Sequence, residues 1–188
     1  LWAARKIDRP VKFTCGRSEA FVSDYQGRDL VTRIELAMDA EGRFLGLRAD
    51  NMSNVGARVV SLSPLGKGSA LVTGPYNIPA AHMRARAVFT NTVPTQAYRS
   101  SGRPEVTFAI ERLIDTAAAE FGFDRVELRR INLIASAAMP FTNPIGATYD
   151  SGEYALSMSR VISLADWTGF DARRTDSETR GKRLGLGI

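Results

Sequence analysis

One cysteine and one histidine in 188 residues remove several kinds of chemistry at once. Cys15 alone builds no internal disulfide framework and no thiolate cluster for zinc or iron–sulfur. His82 alone gives poor support to a histidine-based metal site or a Ser-His-Asp triad. No apolar run approaches the roughly 20 residues of a membrane-spanning helix, and no charged start is followed by an apolar stretch. The reading is a soluble, cytoplasmic protein with no membrane segment. Blocks of one charge are missing too. The net charge of +5 comes from basic residues interleaved with carboxylates, clustered only at Arg173-Arg174 and Arg180-Gly181-Lys182-Arg183. Such scatter suits solvated faces or subunit contacts, not a nucleic-acid footprint.

What is present suffices for a core, since a hydrophobic share of 44% in a chain of this length can fill one domain or two small packed lobes. Arg9 to Cys15 alternates polar and apolar residues after a proline, which predicts a half-buried strand with Cys15 as a small buried hydrophobe. Leu30 to Met38 and Phe44 to Ser53 are two extended runs around Asp39-Ala40-Glu41-Gly42-Arg43, whose glycine supplies the positive φ of a hairpin turn. Residues 54–79, rich in Gly, Ser and Pro, read as loop with one short helix near Ser69 to Thr73. Ala80 to Thr90 predicts another strand, with His82, Arg84 and Arg86 on its polar side.

Helical spacing then takes over. Phe108, Ile110, Leu113, Ile114, Ala117, Ala118 and Phe121 predict a buried helix between Pro104 and Gly122. Asp124 is placed to cap a second helix over Arg125 to Ile134 that turns Val126, Leu128, Ile131 and Leu133 or Ile134 inward, and Glu153 to Leu164 reads as a third that carries Leu156, Met158, Val161 and Ile162. Arg173 to Arg183 reads as a polar helix or linker, and Gly181 to Ile188 as a turn entering a strand. Antiparallel hairpins packed on long helices, without regular strand–helix alternation, predict an α+β fold. Residues 1–122 read as a first lobe and 123–188 as a helical extension toward a next one. Both ends read as cut, so the chain is expected to be a piece of a longer protein.

The densest polar stretch is Thr95-Gln96-Ala97-Tyr98-Arg99-Ser100-Ser101-Gly102-Arg103-Pro104-Glu105, which runs directly into the longest predicted helix. A loop of this composition brings backbone N–H groups, hydroxyls and guanidinium groups beside a helix N-terminus, a setting for an anionic ligand. The same serines and glycine also suit plain turn geometry.

This segment resembles the active-site loop of the molybdopterin-binding large subunit of the xanthine dehydrogenase, aldehyde oxidase and aerobic carbon monoxide dehydrogenase family. Further landmarks agree in order: Arg9-Pro10-Val11-Lys12 with Arg17-Ser18-Glu19, Ser53-Asn54-Val55-Gly56-Ala57, Gly74-Pro75-Tyr76-Asn77-Ile78-Pro79, Thr90-Asn91, Leu128-Arg129-Arg130-Ile131-Asn132 and Tyr149-Asp150-Ser151-Gly152. The resemblance implies a molybdenum hydroxylase, which inserts oxygen from water into an aldehyde or N-heterocycle, or oxidises carbon monoxide. It implies molybdopterin, as the cytosine dinucleotide, with molybdenum, and iron–sulfur and FAD subunits or domains as partners in a complex able to form a homodimer. By resemblance Arg99 and Ser100 touch the cofactor, while Tyr98, Ser101 and Gly102 shape the substrate pocket.

Two departures narrow the substrate. Carbon monoxide dehydrogenases carry a copper-holding cysteine where this chain has Ser100, and a hydroxyl is a hard, weak ligand for Cu(I). Xanthine oxidases carry a stacking aromatic where this chain has Ser101. An aldehyde or an N-heterocycle is therefore expected in preference to carbon monoxide or a purine. The family's base glutamate, near the C-terminal end of the large subunit, is matched by no residue here: Glu105, Glu111 and Glu120 sit on the helix after the loop. No catalytic residue is assigned, and the 188 residues alone are expected to be inactive. The alternatives are a carbon monoxide dehydrogenase-like large chain and a non-catalytic module that binds an anion or a partner.

Overall fold

A computed structural model describes residues 1–188. In chain order the elements are α1 (Trp2–Ile7), α2 (Arg17–Ser23), β1 (Leu30–Met38), β2 (Phe44–Gly56), α3 (Ser63–Ala70), β3 (Ala81–Phe89), α4 (Arg103–Phe121), α5 (Arg125–Arg130), β4 (Phe141–Thr142), β5 (Thr148–Tyr149), α6 (Tyr154–Leu164) and α7 (Phe170–Thr179). This is the expected α+β fold.

The long hairpin forms as its sequence dictates. Leu30 pairs with Ser53 and Leu36 with Leu47, with one bulge at Ala37/Met38. The turn is built by Asp39, whose Oδ1 accepts from the N–H groups of Glu41 at 3.1 Å and Arg43 at 2.7 Å, and by Gly42 at φ 84°. The third strand brings a difference, for β3 lies parallel to β2, with Asp50 opposite Arg84, and makes a mixed sheet of order β1-β2-β3. A parallel neighbour needs a crossover, and residues 57–80 provide it. The helix in that crossover, α3, lies earlier than the expected Ser69–Thr73. Its two glycines lower its intrinsic propensity, and packing against the 95–102 loop holds it.

One face of the sheet is covered by α4. Phe44, Leu47 and Ala49 of β2 meet Val106, Ile110, Ile114 and Ala117 of α4, with Val72, Tyr76, Ile78 and Leu128 closing the cluster. Phe108, expected inside, is exposed, because at about 100° per residue it falls opposite Ile110. Phe121 is also exposed, at the end of the stripe. The other sheet face is polar. There Arg84 and Arg86 both bond the Asp50 carboxylate and Arg48 bonds Glu35, and Arg84 foremost holds the Asp50 carboxyl below the usual carboxylate range.

Further expectations are corrected. Residues 9–15 form no strand and Cys15 is exposed, because no other strand pairs with this segment and alternation alone cannot hold it. The second helix stops at Arg130, with Ile131 exposed and Ile134 buried beyond it. α6 buries none of its residues, and Gly181–Ile188 remains outside any sheet. The Asp124 cap does form, its carboxylate accepting from the N–H groups of Val126 at 2.8 Å and Glu127 at 2.9 Å. Asp124→Ala is expected to lower stability by about 1 kcal/mol, read as a shift in the denaturation midpoint, whereas Asp124→Asn keeps most of it.

Candidate active-site loop

The 95–102 segment is anchored at its start. Thr95 is buried and donates its hydroxyl to the Asn54 carbonyl at 2.8 Å. Gln26 pairs with it on the other side: its N–H donates to the Pro94 carbonyl at 3.1 Å, and its carbonyl accepts from the Gln96 N–H at 2.9 Å.

Beyond this anchor the chain reverses through three consecutive left-handed residues: Ser100 at φ 65°, Ser101 at φ 35° and Gly102 at φ 86°. The turn closes through the Ser101 N–H to the Tyr98 carbonyl at 3.0 Å and the Arg103 N–H to the Ser100 carbonyl at 3.3 Å. Two non-glycine residues in this conformation are unfavourable on their own and persist where surroundings over-determine them.

The surroundings are α3 on one side and Arg28 on the other. Ser101, only 5% exposed, bonds the Ser63 hydroxyl at 3.2 Å. Gly102 is so close to α3 that a Cβ there would sit 1.8 Å from the Pro64 carbonyl oxygen. Tyr98, Arg99 and Ser100 face outward instead and are exposed. The structure thus divides the five sequence-predicted residues. Three present themselves to the outside, and two are turned into the packing against α3.

The exposed arc is rich in unused donors. No acceptor in the chain takes the N–H groups of Tyr98, Arg99 or Ser100, the Ser100 hydroxyl or the Arg99 guanidinium. Such a set suits a ligand with several acceptor oxygens, and it asks for no proton transfer, since arginine as a residue type does not titrate in the working range. The glutamates nearby are engaged elsewhere. Glu105 binds Arg28 and Glu111 binds Arg129, while Glu120 is exposed.

Two features of the surroundings escape sequence reasoning. Arg28 reaches the loop from 71 positions away, a distance that no local spacing signals. Arg129 is buried under α4, although its neighbour Arg130 is of the same type and lies in the same helical turn. An apolar cleft of about 760 Å³ lies between β1 and the C-terminal half of α4, lined by residues such as Leu36, Leu113 and Phe123. It sits at the far end of α4 from the loop and carries none of these donors.

Comparison with known proteins gives the family. Residues 1–133 match the molybdopterin cofactor-binding domain. The 6-hydroxypseudooxynicotine dehydrogenase complex subunit gamma of Paenarthrobacter nicotinovorans is 36% identical over 196 residues, covering 100% of this chain and 25% of that protein. The carbon monoxide dehydrogenase large chain of Hydrogenophaga pseudoflava is 32% identical, over 97% of this chain and 24% of that one. The crystal structure of quinoline 2-oxidoreductase from Pseudomonas putida 86 superposes with a TM-score of 0.86 at 31% identity, over 96% of this chain and 23% of that chain. The chain thus spans about a quarter of the length of the relatives it matches. With the sequence match over residues 1–133 and the fold in agreement, the chain belongs to the molybdopterin cofactor-binding domain family.

Proposed function

We propose that this chain is the loop-bearing part of the large subunit of a molybdenum hydroxylase that oxidises an N-heterocycle or an aldehyde with water as the oxygen source. The observation that carries the reading is the outward arc of unpartnered donors at Tyr98, Arg99 and Ser100. The donor set fits the group the family binds, since a phosphate-bearing dithiolene calls for several N–H and O–H donors that stay protonated.

In this reading Arg99 and Ser100 hold the cofactor, whose bound metal supplies the two-electron redox chemistry. Tyr98 forms a wall toward the substrate. Ser101 and Gly102 shape the site indirectly, by fixing the turn against α3. Residues 1–122 make up the loop-bearing lobe and 123–188 the extension from it. The base that activates water lies elsewhere in the full-length protein, as do the iron–sulfur and FAD partners, and the assembly is cytoplasmic.

The relatives support the substrate class by their names, one taking 6-hydroxypseudooxynicotine and another quinoline. Carbon monoxide, the substrate named for a third, fits less well, because Ser100 offers oxygen where Cu(I) prefers thiolate. Arg99→Ala in the full-length protein is expected to lower retained molybdenum and turnover by roughly ten- to a hundredfold, the worth of one charged hydrogen-bonding group. Metal analysis together with turnover of quinoline, an aldehyde and carbon monoxide checks this. A full-length preparation that holds no molybdenum would sink the reading.

A further inference from the structure

Arg28 touches the loop at three points. Its Nη2 donates to the Arg99 carbonyl at 3.1 Å, and its Nη1 donates to Glu105 Oε2 at 3.1 Å. Its guanidinium lies 5.3 Å from the centre of the Tyr98 ring. No other donor in the chain reaches the Arg99 carbonyl. Glu105, in the first turn of α4, is only 13% exposed at its side chain, so this pair is more sheltered than an ordinary surface bridge.

The fork is itself held in place. Arg28 at φ 72° and Asp29 at φ 61° are both left-handed, and Asp29 is fastened to β2. Its carbonyl accepts from the Asn54 N–H at 3.2 Å, and its carboxylate accepts from the Asn54 side-chain amide at 2.8 Å. Just before it, Gly27 lies so near the loop that a Cβ would stand 2.9 Å from Tyr98 Cβ. The Arg28 guanidinium, projected from the left-handed pair at 28–29, thereby bonds the carbonyl of the residue just before the left-handed pair at 100–101. The planar fork serves a carbonyl and a carboxylate at once from two separate nitrogens.

We propose that Arg28 is a positioning residue that fixes the left-handed turn after Arg99 and so sets the direction in which Arg99 and the free amides of residues 98–100 are presented. The inference rests on the reading of this loop as the cofactor-facing segment, and its test separates the two. The experiment uses the full-length protein with its partner subunits and follows amide hydrogen exchange and retained molybdenum. Arg28→Ala is expected to speed exchange at Ser101 and Arg103, the two N–H groups that close the turn, roughly tenfold or more, while β1, β2 and the C-terminal half of α4 stay within about twofold. Molybdenum retained after dialysis falls in step, and Arg28→Lys, which keeps one of the two bonds, restores part of both.

Unchanged exchange at Ser101 and Arg103 in a folded Arg28→Ala protein overturns the proposal. A uniform acceleration along the chain also overturns it, because that marks general destabilisation. Where Arg28→Ala does not fold, Arg28→Lys carries the exchange measurement: local acceleration at Ser101 and Arg103 supports the role, and unchanged or uniform exchange overturns it. Faster local exchange with undiminished molybdenum supports the positioning role and counts against the cofactor reading.

Discussion

Arg129→Ala is expected to destabilise the protein by about 3–5 kcal/mol, the loss typical of removing one partner from a buried ion network. The Arg129 side chain is 3% exposed and spends its guanidinium on four acceptors. It bonds Glu111 Oε2 at 2.8 Å, Asp115 Oδ1 at 2.9 Å, the Arg125 carbonyl at 3.0 Å and the Glu111 carbonyl at 3.1 Å. Tyr76 adds its hydroxyl, which donates to the Glu111 carboxylate at 2.9 Å. These contacts tie α4, the helix that follows the loop, to α5 and the residues before β3.

Burial works against the Arg129 charge, yet the bonds and charge of Glu111, with help from Asp115, outweigh it and raise its pKa. The Tyr76 phenol is also pushed up, first by burial and then by the Glu111 charge. Because its folded pKa lies above the ordinary 10.0, the stabilisation from neutral Tyr76 is complete below that pH and fades only in more alkaline solution. Arg130→Ala is the control. Its pair with Glu127 is 35% and 60% exposed at the two side chains, so its loss is expected to cost less than about 1 kcal/mol. The difference in denaturation midpoint between the two full-length variants measures the network, and equal shifts would refute it.

That pair of adjacent arginines also marks where sequence reasoning ends. Periodicity and turn chemistry act over a few residues, so the long hairpin, the Asp124 cap and the course of α4 are legible directly. Arg129 and Arg130 are indistinguishable by such rules, and only the crossing of α5 over α4 decides which is buried. Residues 9–15 show the reverse case, an alternating pattern with no strand beside it to pair with. In α3 the glycines argue against a helix by propensity, while its close approach to Gly102 requires one of them, Gly68. A Cβ at Gly68 would come within 2.8 Å of the Gly102 carbonyl oxygen. For the loop, composition and resemblance point to Arg99. The posture of Ser101 and the hold of Arg28 depend on contacts between distant segments.

Gly102→Ala carries the other large expected effect, because the substitution fails twice over. At φ 86° a side chain is strained by about 1–2 kcal/mol even with free space around it. Space is also lacking, since the new Cβ would lie 1.8 Å from the Pro64 carbonyl oxygen and 2.8 Å from the Gly68 amide nitrogen. Both obstacles are backbone atoms, so no rotamer change relieves the clash, and α3 must separate from the start of α4. Overpacking of this kind adds about 1–3 kcal/mol, bringing the total to roughly 3 kcal/mol or more. Gly122→Ala isolates the first component. It sits at φ 76° with no neighbour within 4 Å of its would-be Cβ, so only the strain of about 1–2 kcal/mol is expected. The two variants also differ in reach, since Gly102→Ala displaces Ser101 and the outward arc at residues 98–100, whereas Gly122 lies at the opposite end of α4. In full-length protein Gly102→Ala should therefore lose both stability and retained molybdenum, and Gly122→Ala should lose only stability. Equal behaviour of the two would mean that the contact with α3 does not shape the loop.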